Sequence, residues 1–224
     1  MPAPTSPFPV PTAPERPGVP VATGLTVADL DDRPERHQDG LRVELVHGEL
    51  FVSPPPIRRH QGAVVAIASA LHVWTRRHGG AVYPAPVGWY VDARSWVEPD
   101  VVFLGPAAAA HLSDPRHVDV VPDLVVEVSS PSTRRLDLIK KRGLYEATGV
   151  PTYWFVDLDE SVVDVYEPDT TGHYGTPATF GVGAHLDVRA APGLRLAVAE
   201  VLGVHPPTVD DEPTSDGAAP NDEA

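Results

Sequence analysis

Apolar positions change their period several times along the chain, and each change predicts an element. From Leu41 the pattern alternates. Leu41, Val43 and Leu45 fall on one face and Arg42, Glu44 and Val46 on the other, His47-Gly48 is a turn signal, and Glu49 to Ser53 continues as a second strand before Pro54-Pro55-Pro56. This is a β-hairpin. Between His60 and His78 the period becomes helical, with Val64, Ile67, Ala68, Leu71 and Trp74 forming one stripe, basic residues at 76–78 and a stop at Gly79-Gly80. Strand-like runs follow at 81–83, 88–91 and 101–104, with a short helix or turn at 107–112. The run Leu124 to Val128 is apolar except for Glu127. Ser132 or Thr133 is placed to cap a helix ending at Gly149, and strands are expected at 152–156 and 161–166. A Gly-rich loop spans 171–183, and short strands are expected near 185–188 and 194–197. Thr26 to Asp32 reads as a short helix capped by Thr26, and 33–40 as a polar turn. Strands mixed with a few helices imply an α/β (α+β) domain built on a mixed sheet.

The two ends of the chain have another character. Proline stands at 2, 4, 7, 9, 11, 14, 17 and 20, which excludes a helix or central strand over residues 1–23. Residues 204–224 are rich in proline and acids. Both ends are expected to be disordered tails around one domain at 24–203. The chain has no cysteine, no secretory signal pattern and no apolar run long enough for a membrane span, so a bacterial-type cytoplasmic protein that makes no membrane contact is expected. Its formal net charge is −14. Six acids lie between 205 and 224, and the body remains acidic without them. A surface coated with nucleic acid is therefore excluded, whereas a locally basic cleft is not.

Charge in the wrong place points to chemistry. Asp100 opens one apolar run and Glu127 interrupts another. Side by side, such strands would bring two carboxylates into one shallow site, and hard oxygen ligands of this kind hold Mg²⁺. The bland alternative puts Asp100 in a turn and Glu127 on a solvent-facing edge. The helix after Glu127 offers Lys140 and Lys141 as the cation that phosphoryl chemistry needs, and spacing alone does not choose between them. Asp137, Lys141 and Tyr145 share a helix face, and an ordinary i,i+4 ion pair accounts for the first two. No G-x-S-x-G elbow, H-E-x-x-H motif or phosphate-binding glycine loop is present.

The strings EPDVVFLG and PDLVVEVSSPSTRRLDLIKKRGLYEATGVPTYWFVD, preceded by VELVHGELFVSPPP and His60-Gln61, resemble the bacterial Uma-type restriction endonuclease family. That family belongs to the restriction-endonuclease-like PD-(D/E)XK superfamily, and the likeness covers residues 25 to 203. It implies a mixed central sheet flanked by helices with an N-terminal hairpin, and a DNA endonuclease dependent on Mg²⁺, with Mn²⁺ as a substitute. Asp100 and Glu127 take the places of the two acids. Ser129 stands where the superfamily's lysine is expected, and where this family usually has an apolar residue. The lysine position moves to the next helix, at Lys141, with Asp137 beside it. Glu44 or Glu49 matches an N-terminal acid that would complete the metal shell, and Glu44 is favoured. His60 matches as well and reads as a cap or packing residue, and Tyr145, Tyr153 and Trp154 read as core. A homodimer is compatible with the resemblance, because many double-strand cutters pair two sites. The alternative is a non-catalytic module that keeps the nuclease fold to bind protein or nucleic acid.

Overall fold

The computed structural model describes residues 18–31 and 41–204. The expected tail over 1–17, the polar turn over 33–40 and the acidic tail over 205–224 lie outside the described residues. Residues 18–23 are described, and they are tied to the body: Val21 donates to the Leu50 carbonyl and Leu50 donates to Ala22.

A six-stranded mixed sheet forms the centre. Its strands are β3 (Ala81–Pro84), β6 (Val101–Leu104), β7 (Leu124–Val128), β8 (Tyr153–Asp157), β9 (Val162–Tyr166) and β10 (Ala178–Gly181), in the order β10-β9-β8-β7-β6-β3. Only the β7/β8 pair is parallel. A second, antiparallel sheet has the order β2-β1-β5-β4. It joins the hairpin β1 (Arg42–Val46) and β2 (Glu49–Ser53) to β4 (Trp89–Asp92) and β5 (Ser95–Val97). The strands β11 (His185–Asp187) and β12 (Arg195–Ala197) make a small third pair. The helices are α1 (Val27–Asp31), α2 (Arg58–His78), α3 (Pro106–Ala109), α4 (Arg142–Thr148) and α5 (Val198–Val201).

The central strands show why their sequence reads as nearly continuous apolar runs: both faces are buried. Successive residues alternate between two cores. Val101, Phe103, Leu124, Val126, Val128, Trp154 and Val156 face a core with the α2 residues Val64, Ile67 and Leu71. Val102, Leu104, Val125, Tyr153 and Phe155 face a second core with Leu136, Leu144, Tyr145, Val46 and Phe51. Glu127 has the parity of Val125 and so belongs to the second face. In β1, Glu44 shares the parity of Val46, which turns it toward the same layer, while Val43 and Leu45 pack with Leu25, Val27 and Leu30.

The hairpin, the long helix and the mixed α+β class are as the periodicity predicts. The hairpin turns at His47 (φ 52°) and Gly48 (φ 81°), the two positive values that a two-residue turn of this hand requires. Other elements differ. Strand β5 is too short for an alternation pattern, β10 lies inside the expected Gly-rich loop, and α5 was not expected. The expected Thr26 cap is reversed: the Thr26 hydroxyl and N–H both reach the Asp29 carboxylate, at 2.7 and 2.8 Å. The expected Ser132 or Thr133 cap is replaced by Ser130, whose Oγ accepts from the Thr133 N–H at 3.2 Å. The helix that follows is not uniform, because Leu136–Lys141 is π-helical before α4 begins. Its wider turn buries Leu136, Asp137 and Lys141 and leaves Ile139 and Lys140 exposed.

The end of α2 is locked to the strand after Asp100. Gly80 sits at φ 93°, and a Cβ there would lie 2.4 Å from the Leu104 carbonyl oxygen. Neither that torsion nor that backbone acceptor can yield to a side chain. We expect Gly80→Ala to cost about 2 kcal/mol or more, measured by urea denaturation; an unchanged midpoint would contradict this packing.

Candidate active site

Four buried carboxylates and two permanent cations meet where the central sheet, the hairpin and the π-helical turn come together. Glu44, Asp100, Glu127 and Asp137 are each at most 2% exposed, and Lys141 is fully buried. Asp100 directly precedes β6. The antiparallel register pairs Val101 with Val126, so one step further places Asp100 opposite Glu127. Opposite residues in such a pair project on the same face about 5 Å apart.

Each acid has specific partners. Asp100 Oδ1 accepts from Arg42 Nη2 at 2.6 Å. Asp100 Oδ2 accepts from the Val128 N–H at 2.7 Å and stands 3.0 Å from His60 Nε2. Glu127 Oε1 accepts from Lys141 Nζ at 2.6 Å and from the Tyr145 hydroxyl at 2.5 Å. Glu44 Oε1 accepts from Lys141 Nζ at 2.8 Å and from the Glu98 N–H at 2.9 Å. Asp137 Oδ1 lies 3.5 Å from the same Nζ. The ammonium of Lys141 thus links hairpin, central strand and helix.

The two choices left open by spacing resolve in one geometry. Lys141 and Glu44 pair inside, while Lys140 and Glu49 pair with each other at 2.9 Å on the partly exposed outer side. The expectation that His60 is a cap or packing residue is corrected. Ile57 is the α2 N-cap residue, and the His60 ring is paired with Asp100. Tyr145, read as core, is buried but also donates to Glu127. Arg42 was not singled out. Its alternation with apolar residues gives no distinguishing signal, because the solvent-facing side of a hairpin shows the same pattern. Ser129, at the place of the missing lysine, accepts from the Leu158 N–H at 2.9 Å and ties β7 to the chain leaving β8.

Electrostatics follow from burial and from the imbalance of charge. Burial pushes Glu127 well above the ordinary carboxylate range; Lys141 resists this, while Asp137, Asp100 and Glu44 add to it. Burial likewise pushes Asp137 up to about 6, against the pull of Lys141. Asp100 goes the other way. Burial acts against its charge, but the Arg42 guanidinium and His60 hold it well below the usual range. Burial also works against the Lys141 charge, and Glu127, Glu44 and Asp137 more than compensate, so its ammonium is held.

Among the described residues, no three acids or histidines are grouped so as to hold a metal ion; Lys141 stands between Glu44 and Glu127, and Arg42 occupies Asp100. The donor chemistry nevertheless fits a hard divalent cation. All four acids supply oxygen, and they exceed the permanent cations by a charge that one such ion would balance. A cleft of about 270 Å³ bordered by Arg42, His60 and Ser130–Thr133 leads to this cluster, and Arg42 borders a second of about 270 Å³ with Glu98 and Gln61. A larger hollow of about 400 Å³ beside the 112–118 loop contains none of these groups.

A pH dependence follows for the metal-free protein. Asp137 has an ordinary value of 3.8 and a folded value of about 6. Its protonation adds stability that is fully present below 3.8 and is lost as pH rises through 6, and Glu127 acts in the same direction. Asp100, held down, adds stability above 3.8 that is lost as pH falls below it. In chelator, the urea midpoint should decline as pH rises from about 4 to about 7, and Asp137→Asn should flatten that decline. An identical slope in the variant would contradict the assignment.

Comparison with known proteins agrees with this architecture. The model of the Uma2 family, described as "Putative restriction endonuclease", matches residues 27–199. The crystal structure of a "putative nuclease belonging to DUF820" from Anabaena variabilis is similar, with a TM-score of 0.66 at 17% identity over 80% of this chain and 98% of that one. At that identity the likeness speaks for the fold, here the restriction-endonuclease-like mixed sheet flanked by helices. A search of curated proteins finds no match. Among the described residues, no helix is long and apolar enough to cross a membrane. The family match takes in the hairpin, Asp100, Glu127 and the helix of Lys141, and this protein belongs to the Uma2 family.

Proposed function

We propose that this protein is a divalent-metal-dependent DNA endonuclease, acting in the cytoplasm of a bacterial cell, with Asp100, Glu127 and Lys141 as its catalytic residues. The observation that carries the reading is the buried cluster itself: two acids facing each other across adjacent strands, with a lysine ammonium 2.6 Å from one of them. A purely structural core has little use for this excess of buried charge.

Asp100, Glu127 and Glu44 would hold Mg²⁺, or Mn²⁺ in its place, and when bound the ion supplies polarisation of a phosphoryl oxygen and a lowered pKa for water. Burial pushes Glu127 upward in the metal-free protein, and a bound cation would favour its ionised form. Arg42 or Lys141 must give up part of its hold on the carboxylates. Lys141 keeps its charge among three acids, so it acts as a hydrogen-bond donor and fixed positive charge beside the negative charge that develops on the phosphoryl oxygens, not as a base. Tyr145 holds the Glu127 carboxylate in orientation. Hydrolysis adds a water oxygen to phosphorus as one ester P–O bond breaks, and the leaving oxygen takes up a proton.

The same ion pairs favour a second reading. With every acid of the cluster already partnered, the fold can stand as a non-catalytic module that binds protein or nucleic acid. Supercoiled plasmid incubated with Mg²⁺ or Mn²⁺ separates the two. We expect cleavage that stops in chelator, is abolished by Asp100→Ala and Glu127→Ala, and falls by about 100-fold or more in Lys141→Met. Cleavage that persists in Glu127→Ala would sink the hydrolytic reading, and nicked against linear product separates single cuts from the paired cuts of a homodimer.

A further inference from the structure

The cleft at the mouth of the cluster has features that the catalytic residues do not use. It lies between the Ser53–Ile57 turn and the Ser130–Thr133 turn, with Arg42 and His60 on its floor side. Two helical runs, 58–78 and 134–148, begin beside it. The 21-residue α2 starts at Arg58, where Ile57 offers no side-chain cap and the first turn holds no acid. Instead Arg58, Arg59 and His60 open the helix, with Arg58 and Arg59 exposed. Cations at a helix N-terminus oppose the helix dipole, a local cost that makes sense when an anion sits there. Across the cleft, the Ser130 hydroxyl lies 2.9 Å from both Ser132 Oγ and Thr133 Oγ1, at the start of the helical run that ends at Thr148.

Two side chains add independent evidence for a ligand. His60 is 4% exposed and borders the cleft; its Nε2 faces Asp100, and its Nδ1 has no partner among the described residues. Arg42 gives Nη2 to Asp100, and its side chain, 15% exposed, borders the same cleft. A guanidinium has five N–H donors in a planar fork, which leaves donors for a second anion.

We infer that this cleft is a phosphate-binding subsite, in which Arg42, His60 and the two helix starts hold a backbone phosphate of nucleic acid next to the phosphodiester that reacts. The opposite wall is built from Pro54, Pro55 and Pro56. An apolar wall beside an anion seat suits the sugar of a nucleotide better than a free inorganic ion. In a chain of net charge −14, a local cationic mouth is also what allows a polyanion to approach at all. The inference rests on the hydrolytic reading of the Asp100 cluster and deepens it.

The test is equilibrium binding of a short fluorescein-labelled DNA duplex to the full chain in chelator, followed by anisotropy across a salt series. Arg42→Lys keeps a positive charge beside Asp100 but loses the fork. Arg58→Gln and Ser132→Ala alter exposed or half-exposed positions, so the test does not hang on one buried substitution. The wild type should bind with salt-dependent affinity and be displaced by inorganic phosphate. Arg42→Lys should weaken binding about tenfold, and Arg58→Gln should lower the salt slope by about one. Arg189→Gln, whose guanidinium pairs with Glu167, should bind as wild type. Absence of wild-type binding, or binding unchanged by all three substitutions, overturns the subsite. The two readings fail separately. Glu127-dependent cleavage with an unchanged KM in Arg42→Lys leaves the nuclease and removes the subsite, whereas Arg42-dependent binding with no cleavage in any metal leaves the subsite and removes the hydrolysis.

Discussion

An ammonium buried from solvent must be surrounded by negative charge, and Lys141 is surrounded from three directions. Glu44 comes from the hairpin, Glu127 from the central sheet and Asp137 from the preceding turn of its own helix. Removing the ammonium from such a set leaves desolvated acids without their cation, at a cost of about 3–5 kcal/mol. The position of the hairpin against the sheet is therefore coupled to the same contacts that make the site. The π-helical turn belongs to this constraint, since it carries Asp137 and Lys141 together on the buried side while Lys140 remains outside with Glu49.

The charges do not balance, and the function proposed here grows from that imbalance. Two permanent cations stand among four buried acids, and burial with repulsion from the neighbouring acids raises Glu127 and Asp137 above the ordinary carboxylate range. Under the proposed function, a bound divalent ion would take the place of protons at such a site. It is also closed: Arg42 and His60 line the cleft, and the acids of the cluster do not. A residue that releases Asp100 and a residue that receives phosphate can thus be the same arginine.

Much of this was legible in the residues, for identifiable reasons. The hairpin and α2 showed themselves through period, because each buries one face against a different neighbour. Glu127 was legible because a strand buried on both faces tolerates a carboxylate only with partners, and Asp100 because it opens a second apolar run, whereas the register that sets the two opposite each other appears only in the structure. The choice of Lys141 over Lys140 and of Glu44 over Glu49 was not legible, since spacing shows which residues share a face but not which face meets the acids. The resemblance favoured the inner members, and the geometry puts them inside. The partnership of His60 with Asp100 spans 40 residues and no local pattern encodes it. The π-helical turn was invisible as well, because LDLIKK carries no sequence mark that separates it from an ordinary helix. β10 was hidden by a glycine-rich setting on the sheet edge, where alternation is weak.

The claim on which the rest depends is that Asp100 and Glu127 accept a divalent ion. Calorimetric titration of Mg²⁺ into the metal-free protein, in buffers of differing ionisation heat, addresses it directly. Saturable binding should appear with release of protons, because a bound cation favours the ionised form of carboxylates that burial raises, and Asp100→Asn should abolish it. Absence of saturable binding to the wild type, or equal binding by Asp100→Asn, would contradict a metal site in this cluster.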